Sequence, residues 1–290
     1  MYENNNGVTQ EIQTAPQKKS SGNWVWITFL LLGVVLLVIG IILYKNTNIK
    51  ERAKLKDYSQ SYSASEVKRF DLDISWADLT IGKSSDEKIH VEARNVPEGF
   101  TAEVKGDTFT AKSGEKKISV YMLPSWLNGS DNNAVVEIKL PEQEYESFVL
   151  DLGAGEAKVS DITCGKFRVE GGAGEITFES VECETGSFEC GAGQVNIKGM
   201  KCAETLYVDG GTGEIDITKS VLGGLKVEQG VGELNFSGTI NGDVEVDGGV
   251  GEINLNLTNP ASDFTGSGSK YKMDIDTGIG SNTVNYDVSH

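Results

Sequence analysis

Two hydrophobic patterns divide this chain. The first is an uncharged apolar run from Trp24 to Leu43, long enough at helical rise to cover about 30 Å, the thickness of a bilayer core. The second is a strict alternation that starts near Phe70-Asp71-Leu72-Asp73-Ile74 and dominates the C-terminal half. There, apolar residues fall at every second position on both sides of a recurring G-x-G. Phe167/Val169, Leu206/Val208, Leu225/Val227 and Val244/Val246 precede it, and Ile176/Phe178, Val195/Ile197, Ile215/Ile217, Leu234/Phe236 and Ile253/Leu255 follow it. Period-two alternation marks half-buried strands. A third apolar position closes each copy at Ile162, Val181, Met200, Val221 and Ile240.

The G-x-G copies begin at Gly153, Gly172, Gly191, Gly211, Gly230 and Gly249, at intervals of 19 or 20 residues, and a seventh begins at Gly278 after an insertion around Asn259–Gly268. A constant period of this length marks a repeat architecture. Nineteen residues are too few for a βαβ crossover. They suit one coil of a parallel β-helix, or β-solenoid, with coils stacked about 4.8 Å apart and glycine supplying the corner. The expected fold is all-β, a parallel β-solenoid of 19–20-residue coils preceded by one transmembrane α-helix. The expected divisions are a polar tail (1–23), a membrane helix (24–44), a basic and polar stalk (45–65), an irregular β cap with the first coils (66–150) and the regular repeats (151–290). Trp76 and Trp126 are expected to help close the apolar end.

The opening strand at Phe70-Asp71-Leu72, the strand Val135 to Pro141 ending in Leu-Pro, and the G-x-G-E repeats resemble those of the DUF4097 family over residues 66–288. That resemblance implies an all-β protein of the bacterial cell envelope, often described as an adhesin and sometimes encoded near envelope-stress genes. The family supplies no catalytic residues to carry over.

Composition adds charge. The formal net charge is −17, and residues beyond 57 alone carry 19 basic and 39 acidic groups, a surface that repels phosphates and excludes nucleic acid as a partner. Trp24, Trp26 and Tyr44 at the ends of the apolar run suit the two membrane interfaces. No A-x-A-like cleavage site follows the run, so it reads as an uncleaved anchor. The bases Lys45, Lys50, Arg52, Lys54 and Lys56 outnumber Lys18 and Lys19. That count argues for a cytoplasmic C-terminal side, against the usual display of such folds outside cells; the external placement is the expectation carried forward.

In stacked coils, equal repeat positions become columns. Glu156, Glu175, Gln194, Glu214, Glu233 and Glu252 would form one outward column after the corner, and Glu170, Glu189, Asp209, Glu228 and Asp247 another before it. Neighbouring carboxylates about 4.8 Å apart in water repel by roughly 0.9 kcal/mol. The default is a solvated acidic edge; a divalent cation such as Ca²⁺, a hard ion that takes oxygen ligands, is the sharper alternative. Cys164, Cys183 and Cys202 share one repeat position, expected as a reduced thiol ladder in or near the core, while Cys190 lies apart. His90, in an alternating strand, reads as a surface residue, and His290 is the other histidine.

Identical recurring carboxylates leave none singled out for acid or base work, and no nucleophile elbow, phosphate loop or zinc helix is present. The leading functional expectation is therefore a non-enzymatic, membrane-anchored surface scaffold that contacts protein or glycan, with no cofactor. The alternative is an envelope-stress accessory or sensor acting through a membrane partner. A polysaccharide-cleaving β-helix is the minor alternative.

Overall fold

The computed structural model describes residues 55–114 and 134–287, apart from the side chain of Trp76. The expected tail (1–23), membrane helix (24–44), the first part of the stalk (45–54), Trp126 and His290 lie outside the described residues. Among those described, no helix is long and apolar enough to cross a membrane.

The described chain is all-β, with eleven strands in one sheet and one short 3-10 helix at Ala261–Asp263. The strands are β1 (Leu55–Ser63), β2 (Arg69–Trp76), β3 (Asp78–Lys83), β4 (Lys88–Pro97), β5 (Thr101–Lys105), β6 (Thr108–Lys112), β7 (Val135–Leu140), β8 (Glu144–Lys198), β9 (Lys201–Ile240), β10 (Val244–Leu257) and β11 (Met273–Tyr286). β8 is 55 residues long, which as a straight strand would reach about 180 Å. Instead it turns at its glycines and lies over itself, so that a Cβ on Gly172 would meet the carbonyl of Gly153. The pairing continues in parallel between β8 and β9, β9 and β10, and β10 and β11. In register, Gly193 faces Gly213, Gly232 faces Gly251, and Gly251 faces Gly280. The result is a solenoid-like stack in which each repeat pairs with the next.

The G-x-G motif has two separate physical causes. The second glycine of each copy has positive φ, from +131° at Gly193 to +154° at Gly280, a region that side chains resist. Both glycines also sit against the carbonyl of the coil below. A Cβ on Gly211 would lie 2.3 Å from the oxygen of Gly191, and one on Gly213 would lie 1.7 Å from the oxygen of Gly193. A second bend follows eight positions after the first glycine in the copies that begin at Gly153, Gly172, Gly191 and Gly211. There Asp161, Ser180, Gly199 and Lys219 take left-handed φ of 59°, 56°, 71° and 53°, without glycine at three of the four sites.

Inside the stack, the alternating residues predicted from the sequence are buried, including Phe167, Val169, Ile176, Phe178, Leu206, Val208, Leu234 and Leu255. Phe109, Phe70, Phe148 and Phe167 form a ladder with centroid spacings of 5.6, 5.8 and 5.4 Å. Phe178 and Phe188 pack on its C-terminal end, at 5.4 and 5.6 Å from Phe167. Among the described residues no buried side-chain polar atom lacks a hydrogen-bond partner.

Three features depart from the sequence expectation. Residues 55–63, expected within a polar stalk, form β1, which pairs antiparallel with β4. The alternation there is carried by Tyr58 and Tyr62, whose rings meet Phe100 and Phe109 edge-on at 5.2 and 5.5 Å, and whose hydroxyls donate to the carbonyl of Ala102. Val221, expected as an inward anchor, is 43% exposed, and Ser220 and Leu222 are buried in its place. Ser220, nine residues after Gly211 as Met200 is after Gly191, holds the repeat position with a polar side chain; Ser220 Oγ accepts from the Met200 amide at 3.2 Å and donates to the Thr218 carbonyl at 3.0 Å. Finally, spatial order differs from chain order. β2 and β3 pair with β8 on one side and with β6 and β7 on the other, so the first pair of strands lies inside the stack. Antiparallel β4 and β5 then cover β7 and β6.

The corner predicts a sharp contrast. Gly213→Ala is expected to cost about 3 kcal/mol or more, since it adds a backbone clash to a positive φ. Gly268→Ala, where nothing lies within 4 Å of an added Cβ, is expected to change stability by less than about 0.5 kcal/mol. Denaturant melts of the two variants beside the parent measure both.

Candidate functional site

The acidic columns are the candidate site. Because side chains alternate along each strand, the residue two positions before the first glycine faces outward, and parallel register stacks these residues. Glu189 lies opposite Asp209, and Glu228 opposite Asp247. The structure lengthens this column beyond the expected Glu170, Glu189, Asp209, Glu228 and Asp247. Asp73 lies opposite Asp151 at one end, and Asp276 opposite Asp247 at the other. Asp151 and Asp276 carry the same offset from Gly153 and Gly278 and were visible in the spacing. Asp73 precedes Ser75 rather than a glycine, so nothing in the sequence marked it.

Basic side chains two residues back along the same strands interrupt this edge. Arg168 Nη2 lies 2.7 Å from Glu170 and 3.1 Å from Glu189. Lys226 Nζ lies 2.8 Å from Glu245 and 3.8 Å from Glu228. All six are substantially exposed, so solvent screening leaves each pair little net strength; their main effect is to break up the field of the column.

The second column also forms. Gln194 faces Glu214, and Glu233 faces Glu252, with Glu156 and Glu175 at the same offset in the two copies before them. Beside it runs an amide ladder that alternation alone did not reveal. Asn235 donates to Asp216 at 2.9 Å, Asn254 donates to Asn235 at 3.1 Å, and Asn254 and Asn196 reach Glu233 and Glu175 at 3.4 and 3.3 Å. Gln194 donates to Glu214 at 3.2 Å. Repulsion by Asp216, then burial, pushes the Glu214 carboxyl above its usual range.

Beside the first column, the glycines leave an open groove of about 480 Å³, walled by Asp151, Glu170, Glu189 and Asp209, floored by corner glycines and bordered by Cys190. It is concave because its floor has no side chains. Among the described residues no three His, Cys, Asp or Glu side chains come together in an arrangement that could hold a metal ion; the carboxylates line up rather than converge.

Cys164, Cys183 and Cys202 are free and buried, and Cys190 is free and half-buried. Cys183 lies opposite Cys202 in the register, and Cys202 Sγ donates to the Glu184 carbonyl at 3.6 Å. Burial pushes the Cys164 thiol up to about 12 and that of Cys190 to about 11. Cys183 is raised too, by its hydrogen bond with Cys202 and by burial. Those three are poor nucleophiles in consequence; the Cys183 hydrogen bond pulls the Cys202 thiol below its usual range instead, and its burial is what shields it from reagents.

His90 is more connected than a bare surface residue. Its Nδ1 lies 2.7 Å from Ser61 Oγ and its Nε2 lies 2.7 Å from Asp86 Oδ1. The His90 hydrogen bond holds the Asp86 carboxyl below its usual range. Ser61 and His90 are cross-strand partners on β1 and β4, away from the groove, and the trio ties the outermost strand to its neighbour.

The sequence profile described as Toastrack DUF4097 matches residues 67–278. The chain belongs to the DUF4097 family. No curated protein matches it. Solved structures similar to this DUF4097 chain include a candidate adhesin of Bacteroides fragilis (15% identity, covering 81% of this chain and 99% of the other, TM-score 0.48). A candidate adhesin of Parabacteroides distasonis (14%, 81% and 98%, TM-score 0.43) and a candidate cell adhesion protein of Clostridium sporogenes (16%, 81% and 100%, TM-score 0.35) are also similar.

Two outcomes follow for this DUF4097 protein. A carboxyl raised in the folded state binds its proton more tightly than in the unfolded chain. Its stabilising contribution is therefore full below the ordinary glutamate range and is lost as pH rises through its folded value. Glu214→Gln is accordingly expected to raise the melting temperature at pH 7, by an amount worth less than about 1 kcal/mol, and the gain should vanish below the glutamate range; melts across a pH series read it. Thiol titration with an aromatic disulfide reagent should find at most Cys190 in the native protein and all four cysteines in denaturant.

Proposed function

We propose that this protein is a non-enzymatic, membrane-anchored scaffold of the cell envelope that offers the acid-walled groove beside its glycine corners to a protein or glycan partner. The observation that carries the reading is the repetition of the groove wall. Asp151, Glu170, Glu189 and Asp209 occupy equal positions on successive coils, so the surface repeats one chemistry at the coil spacing. Such a surface suits an extended ligand with regularly spaced cationic or hydroxyl groups better than it suits one reacting atom, which needs a few groups tuned apart.

Anchoring rests on the uncharged run from Trp24 to Leu43, with the β-domain carried on the outer side. Glycine floors support the contact role, because a ligand can approach the backbone closely and meet its polar groups as well as the carboxylates. Arg168, on Glu170 and Glu189, keeps the wall from being uniformly anionic, which favours a ligand of mixed charge or hydroxyl character over a simple polycation.

Protease treatment of intact cells is expected to remove the β-domain while leaving a membrane-embedded fragment that contains residues 24–44; full protection would overturn the outward placement. Replacing Glu170, Glu189 and Asp209 together by Lys is expected to abolish retention of the protein on whole-cell or glycan surfaces without moving its melting point by more than a few degrees. Equal retention of the variant and the parent would overturn the groove as the contact site.

A further inference from the structure

The two ends of the stack are finished differently. At the β1 end, parallel stacking is closed by antiparallel strands, with β4 on β7, β1 on β4, and β5 on β6. At the other end, among the described residues, β11 pairs with β10 alone. Its outer edge is a 14-residue strand, bent at Gly278–Gly280, along which no other described strand pairs. An edge of that length is a template for another strand. It carries the most exposed large apolar side chain of the described surface, Ile279 at 71%, stacked over Val250 and Val231, which are 44% and 47% exposed. Met273, Ile275, Val284 and Tyr286 are only partly buried.

We propose that this edge is a self-association surface on which a second copy of the same chain docks about a two-fold axis through the corner. A two-fold of this kind reverses the strand and lays the first arm of one copy, Met273–Thr277, against the second arm of the other, Ser281–Tyr286. Directly opposed residues in an antiparallel pair point to the same face. With Met273 opposite Tyr286, the inward pairs become Met273–Tyr286, Ile275–Val284 and Thr277–Asn282. The outward pairs become Asp274–Asn285 and Asp276–Thr283. Every apolar inner residue meets an apolar one, and the polar inner pair repeats a contact already made within one chain, where Asn282 donates to Thr277 at 3.3 Å. Each outward aspartate meets a neutral hydrogen-bonding group. The amide–aspartate pairing repeats the rung seen at Asn235 and Asp216. No aspartate faces another.

The occupant follows from that self-complementarity and from the closed far end. Head-to-tail stacking would need a parallel rung at the β1 end, which β1, β4 and β5 block, so association stops at a closed pair instead of growing into a filament.

The test uses the full chain in detergent micelles, with Cys190→Ser as background. A short bis-maleimide is expected to cross-link Ile279→Cys into a dimer, because the two-fold brings the corners together. Thr283→Asp sets aspartates opposite Asp276 twice per dimer. It is expected to weaken the dimer at least about tenfold in sedimentation, and adding Asp276→Asn should restore it. Both positions are exposed, and circular dichroism melts confirm that each variant folds. A monomer at all concentrations would overturn the proposal. So would a dimer that ignores Thr283→Asp and gives no cross-link at position 279, as one held only by the membrane segment would do.

Discussion

The structure depends on one steric constraint, the approach of each corner to the carbonyl oxygen of the corner beneath it. Hydrogen-bonded parallel strands are spaced at about 4.8 Å, and at the bend that spacing leaves no volume for a Cβ. Ser75 begins the column, and from Gly153 onward the first position of each corner is glycine. Once the corners are fixed, the alternation on each arm decides the rest. Apolar side chains fill the inside, and carboxylates, amides and bases fall into outward columns without further instruction.

Within that frame the interior changes character along the stack. Large aromatic rings fill the end nearest β6, from Phe109 to Phe188, while branched aliphatics such as Val208, Val227 and Val246 fill the later coils. Each ring covers more apolar area than a valine and pins its neighbours through edge-on contacts. The coils nearest the antiparallel cover are therefore the more strongly cross-braced. The later coils rely more on the backbone ladder and the outward amide rungs.

The repeat, the inward rows and both acidic columns were legible in the sequence, because period two and a constant interval are direct images of the backbone. What escaped belongs to places where that image is broken. Ser220 took the place expected for Val221 because the repeat position there holds a polar residue, which an apolar pattern passes over. Asp73 joined the acidic column through Ser75, where no glycine marks the corner. β1 was hidden in a polar stretch, since an edge strand needs only one apolar face and Tyr58 and Tyr62 supply it. The bends at Asp161, Ser180 and Lys219 gave no signal, because left-handed φ was met there without glycine. The Ser61–His90–Asp86 trio depends on cross-strand register, which no local pattern encodes.

The spatial order of the strands has a consequence for how the molecule is assembled. β2 and β3 are made first among the stacked strands, yet they end with a neighbour on each side: β6 and β7 on one, β8 on the other. As the chain emerges, this earliest pair has two raw edges, and both templates for it are synthesised later. Growth from the amino end therefore cannot proceed rung by rung, as it could in a simple repeat array. The domain must wait until Phe148 and its strand are available, and nucleation is held to a long-range event that joins the oldest rung to a much younger one.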